Sequence, residues 1–350
     1  MTTAGYATMD EALELLSAYG PDLSNGLTSH APMAAEALCA MGRPDAVMPW
    51  LQRYRKGMLP RPPARERITR DTWRAALSRE DRFADWSAFF EEELQRGPWP
   101  TVLNDWVGQL APGICASAAH GVIRVGHAVR SLDVALSPLR LHELADGLGY
   151  WAAWYQELPT DRNPAARALP PRAAIREVRI VPPEQRHFAG TIVSSLAGLG
   201  DFPDFAPVIG VLDVSGDVRA CLTELAELFA RVYLANVHDV LTAIVFVHSV
   251  TDLAAVESML PHLDDATARS ALRYAWQASC GLYAAFGSRP PLEVAEPSRE
   301  ERDTLIDMAI AHGDEHAIKF TEACLRFDAI AQSAAYRAAA RNAIATLPKV

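Results

Sequence analysis

Gly313-Asp314-Glu315-His316-Ala317-Ile318-Lys319-Phe320 sets the reading of this chain. Glycine commonly follows the last turn of one helix and aspartate opens the next, so Gly313-Asp314 separates two helices, residues 300–312 and 314–327. In the second, His316 and Lys319 share one face, with Cβ atoms about 5–6 Å apart. Lysine occurs only as Lys56, Lys319 and Lys349; the other basic residues counted with it are arginine. Lys56 lies in a polar, Arg-rich stretch and Lys349 next to the last residue, whereas Lys319 stands between Ile318 and Phe320. Burial disfavours an ammonium, and the neutral amine that results is a nucleophile. With CO2 it forms a carbamate, an anionic oxygen donor for a metal. The plainer expectation for such a lysine is a stem laid on the core with its head in solvent.

Apolar residues recur at helical spacing through most of the remaining chain. The pattern predicts helices over residues 11–19, 44–55, 73–77, 86–96, 101–110, 117–132, 139–155, 218–234, 237–250, 265–286 and 334–345. Another starts at Ser29 as N-cap, carries Pro32 in its first turn, and stops at Gly42. Residues 59–65 read as an extended surface loop. The prolines 159, 164, 170, 171, 182 and 183 mark a lid or surface excursion, with residues 177–181 its best short strand. There is no fixed-period repeat and no βα alternation. The expected fold is all-α: a single large helical domain with a metal site in the bundle interior, in two helical halves, about residues 1–155 and 185–350, joined by the Pro-rich segment.

Composition narrows the function. A formal charge of −10 argues against nucleic acid or an anionic membrane surface as partner. Residues 1–6 lack a basic stretch followed by an apolar one, so no secretory signal is expected. The strongest apolar run, Val240 to Val247, is far short of a membrane span. Five widely spaced cysteines without CxxC read as reduced thiols of a cytoplasmic protein.

The ten histidines separate by position. His30 shares a stripe with Met33, Ala34 and Ala37. His120 opens the stripe His120, Ile123, Arg124, His127. His248 closes the most apolar run, on the face of Leu241, Ile244 and Val245, with Asp252 a turn later. His316 pairs with Lys319. One histidine on an apolar face is more often a core residue than a ligand. Four inward imidazoles from separate helices, together with a buried lysine, suit the interior metal sites of helical bundles. His142, His187 and His262, near prolines or charges, are expected at the surface, and His238 is out of phase with His248. His127 lies two turns from His120, and the break at Gly313-Asp314 turns His312 away from His316 despite their spacing.

Four blocks carry a family resemblance: Ser29-His30-Ala31-Pro32-Met33-Ala34-Ala35-Glu36-Ala37-Leu38, Ala119-His120-Gly121-Val122-Ile123-Arg124-Val125-Gly126-His127-Ala128, Phe246-Val247-His248-Ser249-Val250-Thr251 and Asp314-Glu315-His316-Ala317-Ile318-Lys319. In this order they resemble the questin oxidase-like proteins, helical oxygenases that open the central ring of anthraquinones. The resemblance implies a non-haem Fe(2+) held by His30, His120, His248, His316 and a carboxylated Lys319, with O2 and an aromatic polyketide as substrates. Four neutral imidazoles bring no negative charge, which the carbamate supplies; five protein ligands leave one octahedral position open. Asp252 and Asp314 are expected to orient ligand imidazoles, or Asp314 simply to cap a helix. Arg124 would neutralise a phenolate or pair with a nearby carboxylate. Trp151, Trp154 and Tyr155, and Trp276, Cys280 and Tyr283, form aromatic stripes that would line a substrate pocket or pack in the core.

Some members of that family are described as NADPH-dependent Baeyer–Villiger enzymes, but no Gly-x-Gly-x-x-Gly follows a strand here. A metal-dependent hydrolase with a carbamylated lysine would need βα repeats and a His-x-His, which are lacking. A helical binding protein for a hydrophobic ligand, with its histidines as core residues, is the non-catalytic alternative.

Overall fold

The computed structural model describes residues 3–161, 167–293, 296 and 298–350, and it is mainly helical, as the apolar spacing predicts. Its chain divides into two compact units. One comprises Met1–Gln156 with Ser258–Asp264, the other Glu157–Glu257 with Asp265–Val350. Pro164 of the Pro-rich segment and the first two residues lie outside the described residues.

In chain order the first unit contains α1 (Met9–Leu16), β1 (Tyr19–Leu23), α2 (Ala31–Ala40), α3 (Pro44–Tyr54), β2 (Met58–Pro60), α4 (Trp73–Ala76), α5 (Phe83–Arg96), α6 (Trp99–Leu110), α7 (Ala116–Val134) and α8 (Pro138–Ala153). Helices α5 and α7 both pack along α8, and α2 packs on α1, α3 and α7. Gly121 permits the close crossing of α7 on α8, since a Cβ there would stand 2.7 Å from the Cα of Trp151. Gly121→Ala therefore forces a backbone to move and is expected to cost about 1–3 kcal/mol. Denaturant unfolding checks this; an unchanged midpoint would mean that the crossing yields freely.

β1 and β2 pair antiparallel, Tyr19 opposite Pro60 and Leu23 opposite Met58, with an irregular register between them. Tyr19 thus belongs to a strand and not to the end of the first helix, which stops at Leu16. The N-cap position of α2 is taken by His30, not Ser29; the Ser29 hydroxyl only accepts the Ala31 N–H, at 3.4 Å.

The second unit contains α9 (Pro171–Ala174), α10 (Ile192–Ala197), α11 (Val218–Asn236), α12 (Val240–Met259, all but its last two residues), α13 (Asp265–Phe286), α14 (Arg302–His312), α15 (Glu315–Ala331) and α16 (Ala334–Thr346). Helix α16 packs on α11, α14 and α15. The strand expected at 177–181 does not form. Ile175–Glu177 is a 3-10 turn, and the extended residues after it run into Pro182 and Pro183, which have no N–H for a ladder. Val178 donates only back to the Ile175 carbonyl of that turn, and Val181 donates to the Ala284 carbonyl, so no ladder is built. The apolar run 240–247 is also longer than it reads: Val240–His262 is long and apolar enough to cross a membrane. That corrects the expectation of a run far too short, although 78 % of the stretch is buried inside the protein, as for a core helix.

Gly313 adopts φ +88° at the end of α14, and Asp314 caps α15 with Oδ1, which accepts the N–H groups of His316 and Ala317. The helix break read from Gly313-Asp314 is present.

Candidate functional site

In the first unit, His30 and His120 meet. Both are buried, their rings lie 4.5 Å apart between centroids, and the two Nε2 atoms are 2.6 Å apart. Two ring nitrogens at that distance need a proton or a cation between them. The backbone N–H of His30 donates to the Tyr54 hydroxyl at 2.9 Å.

His120 owes its position to unusual backbone. Ser117, Ala118 and Ala119 have φ of 48°, 57° and 69°, so a left-handed turn precedes the right-handed part of α7. Left-handed backbone costs a non-glycine residue roughly 1–2 kcal/mol each, and three in succession need compensation. The turn brings the Ser117 carbonyl to Nδ1 of His120. A carbonyl accepts only from N–H, so the proton of the neutral ring sits on Nδ1 and Nε2 is a lone pair. Residues Ser-Ala-Ala carry no signal for such a turn; its hydroxyl partners Thr28 and Tyr150 were equally invisible in the sequence.

In the second unit, His248 and His316 form an edge-on pair with ring centroids 5.7 Å apart. His248 is buried, and its Nδ1 lies 2.6 Å from the Ile244 carbonyl, so it too carries its proton on Nδ1 and its lone pair on Nε2. Nδ1 of His316 faces Asp314 Oδ1 at 3.6 Å. Burial raises the Asp314 carboxyl, but His316 and the two capped amides outweigh it and hold the group below its usual range. Asp314 thus serves as both cap and neighbour of the imidazole. Ligand atoms of Asp314, Glu315 and His316 lie within 4.8 Å of one another.

Lys319 is 2 % exposed, on the turn of α15 after His316. Its head is not in solvent. Burial lowers its pKa to about 8 despite the opposing charges of Glu315 and Asp314. About a tenth of the side chains then carry a free amine at pH 7.

The structure decides several other expectations, some for the plainer alternative. Asp252 does not orient an imidazole; it is fully buried, takes the Leu253 N–H at 2.5 Å, and lies 3.0 Å from the Ser279 hydroxyl. Arg124 is committed to Glu143 at 2.6 and 2.8 Å and to Asp146 at 3.1 Å, which leaves it no phenolate role. Trp151 and Trp276 are core residues whose indole N–H groups reach the Gly113 and Val208 carbonyls, both at 2.9 Å. His142 and His262 are half-buried and paired with Glu91 and Asp133, at 2.5 and 2.8 Å, rather than simply exposed. His187 and His238 are exposed, and His238 lies between α11 and α12.

His127 contacts Glu36 at 2.5 Å, in a buried network that includes Arg130 and Tyr6. His312 turns its Nε2 to the Leu347 carbonyl at 3.1 Å, so the His-x-x-x-His spacing with His316 is not a ligand pair.

The imidazoles at 30, 120, 248 and 316 thus come from helix starts and helix interiors of an all-α protein, and two of them are fixed as Nε2 donors. Within each unit, a buried imidazole held through Nδ1 in this way is the donor type that suits iron, zinc or copper. Residues 30–136 match the family model described as questin oxidase-like, in agreement with the resemblance of the first two blocks. The match contains His30 and His120 and supports an oxidoreductase of the oxidase or oxygenase class. No curated protein matches the chain significantly.

Proposed function

We propose that this protein is a non-haem Fe(2+) oxygenase that cleaves a ring of an anthraquinone-type aromatic polyketide. The observation that carries the proposal is the commitment of Nδ1 on His120 and His248 to backbone carbonyls, which puts the proton of each neutral ring on Nδ1 and the lone pair on Nε2. The match of residues 30–136 supplies the class of reaction and substrate. His30, His120, His248 and His316 are the proposed imidazole ligands. Lys319 is the proposed fifth: its free amine adds to the carbon of CO2 and releases one proton, which leaves a carbamate oxygen anion. Bound by this set, Fe(2+) supplies the activation of O2. The chain's own part is to hold the imidazoles neutral and oriented and to provide one negative charge next to them. The five cysteines, none of them in a disulfide, support a reducing, cytoplasmic setting for this reading.

Metal analysis of protein purified without oxygen tests the reading. About one iron per chain is expected, lost in His30→Ala and His248→Ala and retained in His187→Gln, whose side chain is exposed. Zinc at that stoichiometry would favour a hydrolase, and absence of any metal would favour a binding protein for a hydrophobic ligand. Full iron in His248→Ala would remove that residue from the site.

A further inference from the structure

Three buried or half-buried hydroxyls close a triangle beside the His30–His120 pair. Thr28 Oγ1 lies 2.7 Å from the Tyr150 hydroxyl and 3.2 Å from Ser117 Oγ, and the Tyr150 hydroxyl lies 2.9 Å from Ser117 Oγ. Each hydroxyl has one proton to give and lone pairs to receive, so a cyclic arrangement can satisfy all three contacts. Thr28 stands two residues before His30, and Ser117 three before His120. The triangle therefore ties together the two chain segments that deliver the paired imidazoles. Its third corner comes from α8, where the Tyr150 ring is 1 % exposed and stacked on Trp154 with centroids 4.2 Å apart.

Without that tie, the composition of Ala116 to His120 would favour a right-handed helix running back from His120. A right-handed continuation would direct the Ser117 carbonyl along the axis to the N–H four residues on, away from the imidazole. The left-handed φ values at 117, 118 and 119 are what turn it onto Nδ1 of His120.

We infer that Tyr150 is a positioning residue for the histidine pair, acting through Ser117 to hold the left-handed turn that selects the Nδ1–H form of His120. This deepens the metal-site reading and rests on it only for its consequence, metal affinity. Tyr150→Phe removes the hydroxyl and keeps the stacked ring.

Two measurements test the inference. In metal-free protein labelled with 15N-histidine, with His120 assigned by its loss in His120→Gln, the wild type shows a protonated Nδ1 and a bare Nε2. Tyr150→Phe is expected to show a mixture of the two neutral forms. In Co(2+) titration, Tyr150→Phe is expected to bind roughly tenfold more weakly, the size typical of losing support behind a ligand. Adding Ala118→Gly to Tyr150→Phe should recover part of that affinity, because glycine takes the left-handed conformation without a Cβ clash. Trp86→Phe, a core substitution whose indole N–H goes to the Ala76 carbonyl and to none of the three hydroxyls, should lower the melting temperature and leave both readouts alone.

A wild-type His120 form together with wild-type Co(2+) affinity in Tyr150→Phe would overturn the inference. So would a loss of affinity in Trp86→Phe in proportion to its melting temperature. If the wild type binds no Co(2+), the metal reading fails, and the histidine spectra alone decide the positioning role. Should Tyr150→Phe not fold, Thr28→Val removes another corner and is read in the same way.

Discussion

Lys319→Met is expected to abolish iron binding and turnover together, with metal affinity down at least about a hundredfold, beyond what removal of an outer-shell partner usually costs. Methionine keeps most of the buried stem, so the fold survives while the amine is gone. The argument is electrostatic. An ammonium buried beside a divalent cation repels it, and a carbamate attracts it, so the same side chain either opposes the metal or helps to bind it. Burial has already brought the amine to a pKa of about 8.

The free amine is then about 1 % of the population at pH 6 and about half at pH 8, so iron loading should rise across that interval and rise further with added bicarbonate. Acetate or formate should return part of the iron to the variant by occupying the vacated position. Wild-type iron content in Lys319→Met, measured with matched far-UV circular dichroism, would sink the carbamate.

Asp252→Asn should make the protein more stable at pH 8 and nearly neutral in effect at pH 4. Burial raises the Asp252 carboxyl to about 8 from 3.8, against the hydrogen bonds of Ser279 and of the Leu253 N–H, which favour ionisation. Between those values the folded state keeps a proton that the unfolded chain has released. Stability from this group is therefore full below pH 4 and falls as pH rises through 8. The whole span is on the order of 6 kcal/mol at about 1.4 kcal/mol per unit, an upper bound for a group that local water could relieve. Asparagine is neutral throughout and removes that slope. Urea unfolding of both proteins at pH 5 and pH 8 gives the comparison; parallel pH dependences would show that Asp252 ionises freely.

Much of this architecture was open to reading along the chain because helix signals are local. Asp265–Phe286 runs as its spacing predicts, and Gly313-Asp314 ends one helix and starts another through two residues' own backbone preferences. The small sheet was hidden because Tyr19-Gly20-Pro21-Asp22-Leu23 has a proline and no clean alternation. Residues 177–181 misled in the opposite way: they alternate like a strand, but a strand exists only if another chain segment pairs with it.

At the candidate site, inward imidazoles were recognisable from helical faces, and the buried lysine from its apolar neighbours. What supports them was not. The Ser117 carbonyl, the Tyr150 hydroxyl and the Ile244 carbonyl act through tertiary placement, and a carbonyl has no sequence signature at all. The spacing set His127 two turns from His120 but gave no sign of its ion network with Glu36.

Helix α12 has apolar residues on every side, and this bears on how its histidine behaves in time. An amphipathic helix can fray or lift away at modest cost because one face is already wet. For α12 any opening exposes apolar surface all round, so partial release has little to distinguish it from unfolding the whole unit. His248, in the middle of that helix, therefore lacks the cheap local excursions that let a surface imidazole wander among orientations. The burial that makes the helix costly to open therefore works alongside the Ile244 carbonyl in keeping Nε2 of His248 pointed one way.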